Sequence, residues 1–428
     1  MTDDLSIAEL GARLRGGQLS PLDLIRASLE RIEADRALNA YVTVTATAAL
    51  ESARRAEAEL RSGRSRGPLH GLPAAVKDNI DTAGVPTTGG TPSLRDRVPS
   101  QDASVWGRLR EAGAVLVGKT GLHELAYRAP HPAFGAARNP YDAARAPGGS
   151  SSGSAVAVAA GHAVAALGTD TGGSVRQPAA FCGVVGIKPG RSVLPRDGVI
   201  PLSRSLDAVG VIARDPEDAR TVLAALAPLA SDTRRPLRIG VVAEDQAMAP
   251  AIHRAIVSAA GRLAAGGHRT LPAALPPLAR LRTLHRTILL AEAYTEHHAL
   301  LDRTGPLFQQ AVGRGASIGG AELTRALRER DALRPEALLG EADALLLPTA
   351  PDVAPLIDAA TGRAAADTDL NRWTFLASLF DLPAISVPAG EHEGLPLAVQ
   401  LVGRPGGEGA LLDLAREAFM PSRRPVAA

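Results

Sequence analysis

The sequence predicts an α/β fold, a single large sheet with helices on its faces, and three observations carry that expectation. Between about 70 and 243, short apolar runs alternate with helical stretches, as strands do when each feeds a helix that packs back on the sheet. A helix-rich stretch from about 247 to 340 is followed by new strand signals, so the C-terminal part is expected to rejoin the same sheet. Of the 428 residues 45% are hydrophobic and only 3% aromatic, so the core has to be built from Ala, Val, Leu and Ile.

Taken in order, residues 1–65 read as a helical layer. Ser20-Pro21 supplies a cap and a first-turn proline, and Leu22, Ile25, Leu29 and Ile32 follow at helix spacing. The catalytic core is expected over 70–243, with strands at Ala74 to Lys77, Val115 to Val117, Val164 to Leu167, Val184 to Ile187 and Ile239 to Val242. Asp215-Pro216-Glu217-Asp218 starts another helix by the same cap logic. The stretch 247–340, dense in Ala, Leu and Arg, reads as a helix-rich lobe beside the sheet. Residues 341–428 return to the sheet through Ala344 to Leu347, Ala384 to Val387 and Leu397 to Val402. With no internal repeat and no linker long enough to divide it, the chain reads as one domain, 1–428.

Composition excludes several classes. The 47 basic and 45 acidic residues are spread along the chain, which argues against a nucleic-acid track or a membrane-surface patch. The opening Met1-Thr2-Asp3-Asp4 lacks the basic start of a signal peptide, and no segment offers about 18 uninterrupted apolar residues, so a cytoplasmic protein is expected. The lone Cys182, beside Phe181, allows no internal disulfide and reads as a small buried residue. Only three residues are lysines, Lys77, Lys119 and Lys188, against 44 arginines. Arginine stays protonated, whereas a buried lysine can become a base, so a lysine kept in such a background is a candidate for work arginine cannot do.

The chemistry concentrates in Gly148-Gly149-Ser150-Ser151-Ser152-Gly153-Ser154 and Thr169-Asp170-Thr171-Gly172-Gly173-Ser174. The first could be a Gly/Ser linker, but it runs into Ala155-Val156-Ala157-Val158, which reads as buried structure. The second is a turn whose glycines let successive backbone N–H groups converge on a developing oxyanion, with a serine placed to attack. None of the 10 histidines lies in these motifs, and no Gly-x-Ser-x-Gly elbow surrounds Ser174, although His162 or His285 could join from a distance. Lys77 follows the apolar Pro73-Ala74-Ala75-Val76, which would desolvate it and favour its neutral form, so a lysine base fits better.

Other motifs are weaker. Gly113 to Thr120 matches the P-loop pattern, but Ala114 to Val117 reads as the strand itself where a phosphate loop is needed. His297-His298 lacks the spacing of a zinc helix and is expected to be solvated. Tyr127, Tyr294 and Trp373 are candidates for lining a pocket or for ordinary core and rim.

In order and combination, Gly71-Leu72-Pro73 through Lys77-Asp78, Gly148 to Ser154, Gly168 to Pro178, Gly186-Ile187-Lys188-Pro189, Ser205-Leu206-Asp207 and Leu382 to Pro388 resemble the amidase signature hydrolases, and in length the short bacterial malonamidase-type members. The resemblance implies a mixed sheet covered by helices on both faces. It further implies a Ser-cisSer-Lys triad with Lys77 as base, Ser150 as relay in a cis peptide and Ser174 as nucleophile. Ser151 would support the lysine, and the backbone N–H groups of Thr171, Gly172, Gly173 and Ser174 would form the oxyanion hole. The implied reaction is hydrolysis of a carboxylic amide through a serine acyl-enzyme, with no metal or organic cofactor. The expected partner is a small-molecule amide, with neither nucleic acid nor membrane, and a homodimer is left open. Alternatives on the same fold are an amidotransferase A-type subunit, or a non-catalytic interaction subunit. Two departures bear on substrate: Gln177 stands where the malonamidase-type enzymes are expected to carry a carboxylate-binding arginine, and Asn371 aligns near an acidic residue expected to hold glutamine in the amidotransferase.

Overall fold

The computed structural model describes residues 5–230, 236–242, 245, 247–358, 361–362 and 369–422. The opening Met1 to Asp4 lies outside the described residues. Eleven strands form one mixed sheet: β1 Tyr41–Val44, β2 Pro73–Lys77, β3 Val115–Thr120, β4 Ala165–Asp170, β5 Val185–Lys188, β6 Ala208–Ala213, β7 Arg238–Val241, β8 Arg269–Pro272, β9 Ala344–Pro348, β10 Ala384–His392 and β11 Leu395–Gly403. Their order across the sheet is β1-β3-β2-β4-β6-β5-β10-β11-β9-β7-β8.

Alternation along the strands explains why helices cover both faces. Ala74 and Val76 of β2, Ala165 and Leu167 of β4, and Val209 and Val211 of β6 enter one core, while Ala75, Ala166 and Ile212 enter the core behind it. The first core is closed by the helices Ser104–Glu111, Pro216–Leu226, Pro250–Ala265 and Glu408–Ala418. The second is closed by Pro21–Ala34, Ala46–Arg61 and Ser152–Ala159. A third core lies under the helices Leu278–His297 and Thr374–Leu379. Every strand expected from the sequence overlaps an observed one, and both caps form, Ser20 accepting from Asp23 N–H and Asp215 from Asp218 N–H.

Three strands go beyond those the sequence predicts. β1 lies inside the expected helical layer and β8 inside the expected helix-rich lobe, so neither stretch is wholly helical. Both are four-residue strands at the two edges of the sheet, and their half-exposed residues carry no run of buried apolar positions. β6 is central but is interrupted by Gly210, where an added Cβ would stand 2.6 Å from the Ile187 carbonyl.

Topology positions the chemistry. β2 and β4 are parallel neighbours, Val76 opposite Leu167, so Lys77 and Thr169 emerge at the same end of the sheet. β6 runs antiparallel to β4 with Ala208 opposite Asp170, which brings Asp207 to that same end. The Gly/Ser stretch reaches it because Ser152–Ala159 packs closely: a Cβ on Gly153 would stand 2.2 Å from the Ala40 carbonyl oxygen.

Candidate active site

All three lysines are buried in strands, and their surroundings separate their roles. Lys119 in β3 lies 3.3 Å from Asp78 and donates to the Thr87 hydroxyl, so the P-loop pattern is occupied by a strand whose lysine is bound inside the protein. Lys188 donates to the Pro189 carbonyl, and burial lowers its pKa to about 8. Lys77 alone meets hydroxyls on the glycine-serine stretches: Nζ is 2.8 Å from Ser150 Oγ and 2.7 Å from Thr169 Oγ1. Burial pushes its pKa down to about 7 against the opposing pull of Asp170 and Asp207, so the neutral amine is accessible near neutrality.

The Gly149–Ser150 peptide bond is cis. Ser151 donates from its hydroxyl to the Thr169 carbonyl at 3.2 Å and from its backbone to the Ser174 carbonyl at 3.1 Å, tying the two stretches together beside the lysine. Ser174 is the partly open member of the set, and with Ser150, Thr171 and Gly172 it lines a cavity of about 370 Å³. Among the described residues no hydrogen bond joins the two serine hydroxyls.

Asp170, which sequence reading did not single out, and Arg176, expected to be structural, hold the turn. Asp170 accepts from Gly173 N–H at 2.7 Å and Val175 N–H at 3.1 Å and forms a two-point ion pair with Arg176 at 2.9 and 3.0 Å. Burial alone would raise the Asp170 carboxyl, but the Arg176 guanidinium holds it well below the usual range. Arg176, fully buried, also donates to Gln400 of β11, so it is a structural tie. The Thr171 hydroxyl donates to Asp207, whose other oxygen accepts from Leu202 and Ser203 N–H.

Two carbonyls of the turn are held from the helices above. His285 Nε2 lies 2.9 Å from the Thr171 carbonyl, and Thr374 Oγ1 donates to the Gly172 carbonyl at 2.7 Å. Burial lowers the His285 pKa to about 4, so the neutral ring is the donor. Because C=O and N–H point opposite ways in a trans peptide, holding the Thr171 carbonyl outward turns the Gly172 N–H inward. Gly173 N–H is already given to Asp170, whereas no acceptor takes Thr171, Gly172 or Ser174 N–H among the described residues. Proximity in sequence to Ser174 was the one available signal for Asp170; His285, which the sequence offered only as a distant partner for the serine, holds a backbone carbonyl of the turn instead, and Thr374, more than 100 residues away, left no signal.

The remaining candidates sort as follows. Tyr127 lines the cavity, Trp373 is buried core, and Tyr294 packs beside His298. Cys182 is buried and its thiol pushed up by burial. His297 is not solvated: it is 3% exposed and its Nε2 contacts the Pro201 carbonyl at 2.8 Å, because the long helix turns that face into the third core; His298 is exposed. His162 contacts Asp35 at 2.9 Å and does not line the cavity that Ser174 lines. No cluster of three or more His, Cys, Asp or Glu suited to a metal, and no helix long and apolar enough to cross a membrane, occurs among the described residues.

Comparison with known proteins adds to this geometry. The family model described as Amidase matches residues 23–412. The A subunit of the glutamyl-tRNA(Gln) amidotransferase from Carboxydothermus hydrogenoformans is 35% identical over 96% of this chain and 96% of its own length. Among solved structures, an amidase superposes with a TM-score of 0.88 at 35% identity, covering 96% of this chain and 99% of that one. The peptide amidase PAM in complex with chymostatin superposes with the same TM-score at 31% identity, over 99% of both chains.

Proposed function

Because the chain belongs to the amidase family, enzymes that act on amide carbon–nitrogen bonds, we propose that it opens a carboxylic amide through an acyl-enzyme on Ser174. The observation that carries this reading is the contact of Lys77 Nζ with Ser150 Oγ at 2.8 Å, made by a lysine that burial brings to a pKa of about 7. Neutral Lys77 takes the Ser150 proton as Ser150 takes that of Ser174, whose Oγ attacks the amide carbon. The tetrahedral oxyanion is received by the free N–H groups of the Thr171 to Ser174 turn, Gly172 foremost, with Gly173 shaping the turn. The proton returns by the same relay to the leaving nitrogen, which departs as ammonia or an amine, and water then releases the acid. Incubation with a fluorophosphonate followed by peptide mass analysis tests the nucleophile: one adduct on Ser174 is expected, and labelling that survives Ser174→Ala removes the assignment.

A second reading keeps the same bond cleavage but hands the nitrogen to a partner protein. The curated relatives weigh toward it, since they bear the name of one component of an amidotransferase, whereas the superposed structures are amidases. The cavity agrees in one respect: although position 371 is Asn, Asp369 brings a carboxylate to the same wall. Ammonia release from primary amides by the purified chain alone decides between them. Turnover without a partner supports the free-standing amidase, and turnover of glutamine only with a partner supports the amidotransferase component.

A further inference from the structure

Around Lys77 the oxygens that would solvate an ammonium group are shared with other donors, and one of those donors has no structural explanation. As an ammonium, Lys77 has three N–H bonds to place, and three oxygens face it: Ser150 Oγ at 2.8 Å, Thr169 Oγ1 at 2.7 Å and the Thr169 carbonyl at 3.4 Å. Both Thr169 oxygens are shared. The carbonyl also accepts from the Ser151 hydroxyl at 3.2 Å, and Oγ1 accepts from Asn79 Nδ2 at 3.2 Å.

Asn79 follows Lys77 by two residues and is 2% exposed. A carbonyl fixes its orientation: Nδ2 also lies 3.3 Å from the Ile200 oxygen, which can only accept, so the amino end is turned toward both Ile200 and Thr169. The Ile200 N–H returns to the Asn79 carbonyl at 2.8 Å and pins the backbone beneath. The other end of the amide is left over, since Oδ1 is buried and meets no donor among the described residues. A side chain that served only to tie these segments together would be expected to have both ends satisfied. What the fold keeps is a donor aimed at the oxygen that Lys77 uses.

The consequence is electrostatic. A hydroxyl oxygen can take two donors, but their positive ends repel across it, and the repulsion is larger for an ammonium than for a neutral amine. The carboxylates around Lys77 pull the other way, yet each is partly spent. Asp170 of β4 is paired with Arg176, and Asp207, just before β6, accepts from the Thr171 hydroxyl and from Leu202 and Ser203 N–H. Asp78, next in the chain, lies against Lys119 of β3.

We infer that Asn79 is a positioning residue for the base: by donating to the Thr169 hydroxyl oxygen it leaves a protonated Lys77 under-solvated, and so keeps the amine neutral and ready to accept the Ser150 proton. The inference rests on the amide-cleaving reading above. Because the chain has only three lysines, carbon-13 labelling of the lysine ε-carbon gives three signals, and Lys77→Met identifies the one to follow through a pH titration of the full chain. Asn79→Leu keeps the bulk and removes the donor. There the Lys77 midpoint is expected to rise by about 0.5 to 1 pH unit, and the acid limb of kcat/KM to move with it. Asn79→Asp puts a carboxylate in place of the donor and should raise the midpoint by more than about 1 pH unit. In a Thr169→Val background Asn79→Leu should move it no further, since the shared oxygen is gone. A midpoint that stays in place in Asn79→Leu, with kcat lowered alike at every pH, would overturn the inference, and so would a rise that persists undiminished over Thr169→Val. Should Asn79→Leu fail to fold, Asn79→Ser removes the amide with less disturbance and carries the same expectation. A midpoint that responds to Asn79 in a protein that turns over no amide retains the role of Asn79 and removes amide cleavage. Amide turnover with an unresponsive midpoint does the reverse.

Discussion

At the residue scale, function is proposed to turn on a lysine that can lose its proton. The folded pKa of Lys77 is lowered from its ordinary value of 10.5 to about 7, so the base form grows as pH rises through 7 and is scarce below it. Amide turnover as kcat/KM is expected to fall about tenfold per pH unit below 7 in the native enzyme, measured at constant ionic strength. Lys77→Ala is expected to lose at least about 10³-fold in kcat, the order seen when one member of a catalytic unit is removed. Lys77→Arg should not restore it, because arginine keeps its proton; near-native turnover in that variant would refute a deprotonating role. Lys77 was legible in the sequence as one of three lysines behind an apolar run, and so were Ser150 and Ser174 as serines after paired glycines. Thr169, which shares the lysine amine with Ser150, was not, since threonine in a strand is ordinary and only its distance from Nζ distinguishes it.

At the scale of the element, the turn after β4 is fastened on several sides, and its parts are expected to fail differently. Gly173 has φ +126°, and a Cβ there would stand 2.3 Å from Thr374 Oγ1. Gly173→Ala should therefore cost more than about 1 kcal/mol of stability in denaturant titration and lose activity as the turn shifts. Thr374→Val keeps the shape but frees the Gly172 carbonyl, whose peptide also carries the Gly173 N–H held by Asp170, so the turn loosens and kcat is expected to drop about tenfold with KM little changed. Asp170→Asn leaves Arg176 buried without its counter-charge, a change expected to cost roughly 3–5 kcal/mol in the same titration. The turn itself was readable from its glycines. Its fastenings were not, because His285 and Thr374 belong to helices whose apolar pattern says only that one face is buried.

At the scale of the whole molecule, the site is a product of strand order. β2, β4 and β6 are contributed by three separate stretches, and the helices above by two later ones, yet one end of one sheet collects Lys77, Thr169, Asp170 and Asp207. Since β1 to β11 share that sheet, we expect the chain to unfold as one unit: amide turnover and far-ultraviolet ellipticity should be lost at the same denaturant concentration. Separate transitions would assign the helix-rich stretch its own stability.

The sequence by itself determined the α/β class, most interior strands, the family and the three residues proposed for catalysis. Those depend on local signals: apolar runs, caps, paired glycines and an isolated lysine in an arginine-rich chain. Only the tertiary structure decided how the turn is fastened, which of its N–H groups have no acceptor among the described residues, where the edge strands lie, and that Arg282 pairs with Asp369. The physical reason is distance along the chain. A pKa, a hydrogen bond or an uncompensated charge is set by neighbours in space, and at this site those neighbours come from up to about 200 residues away.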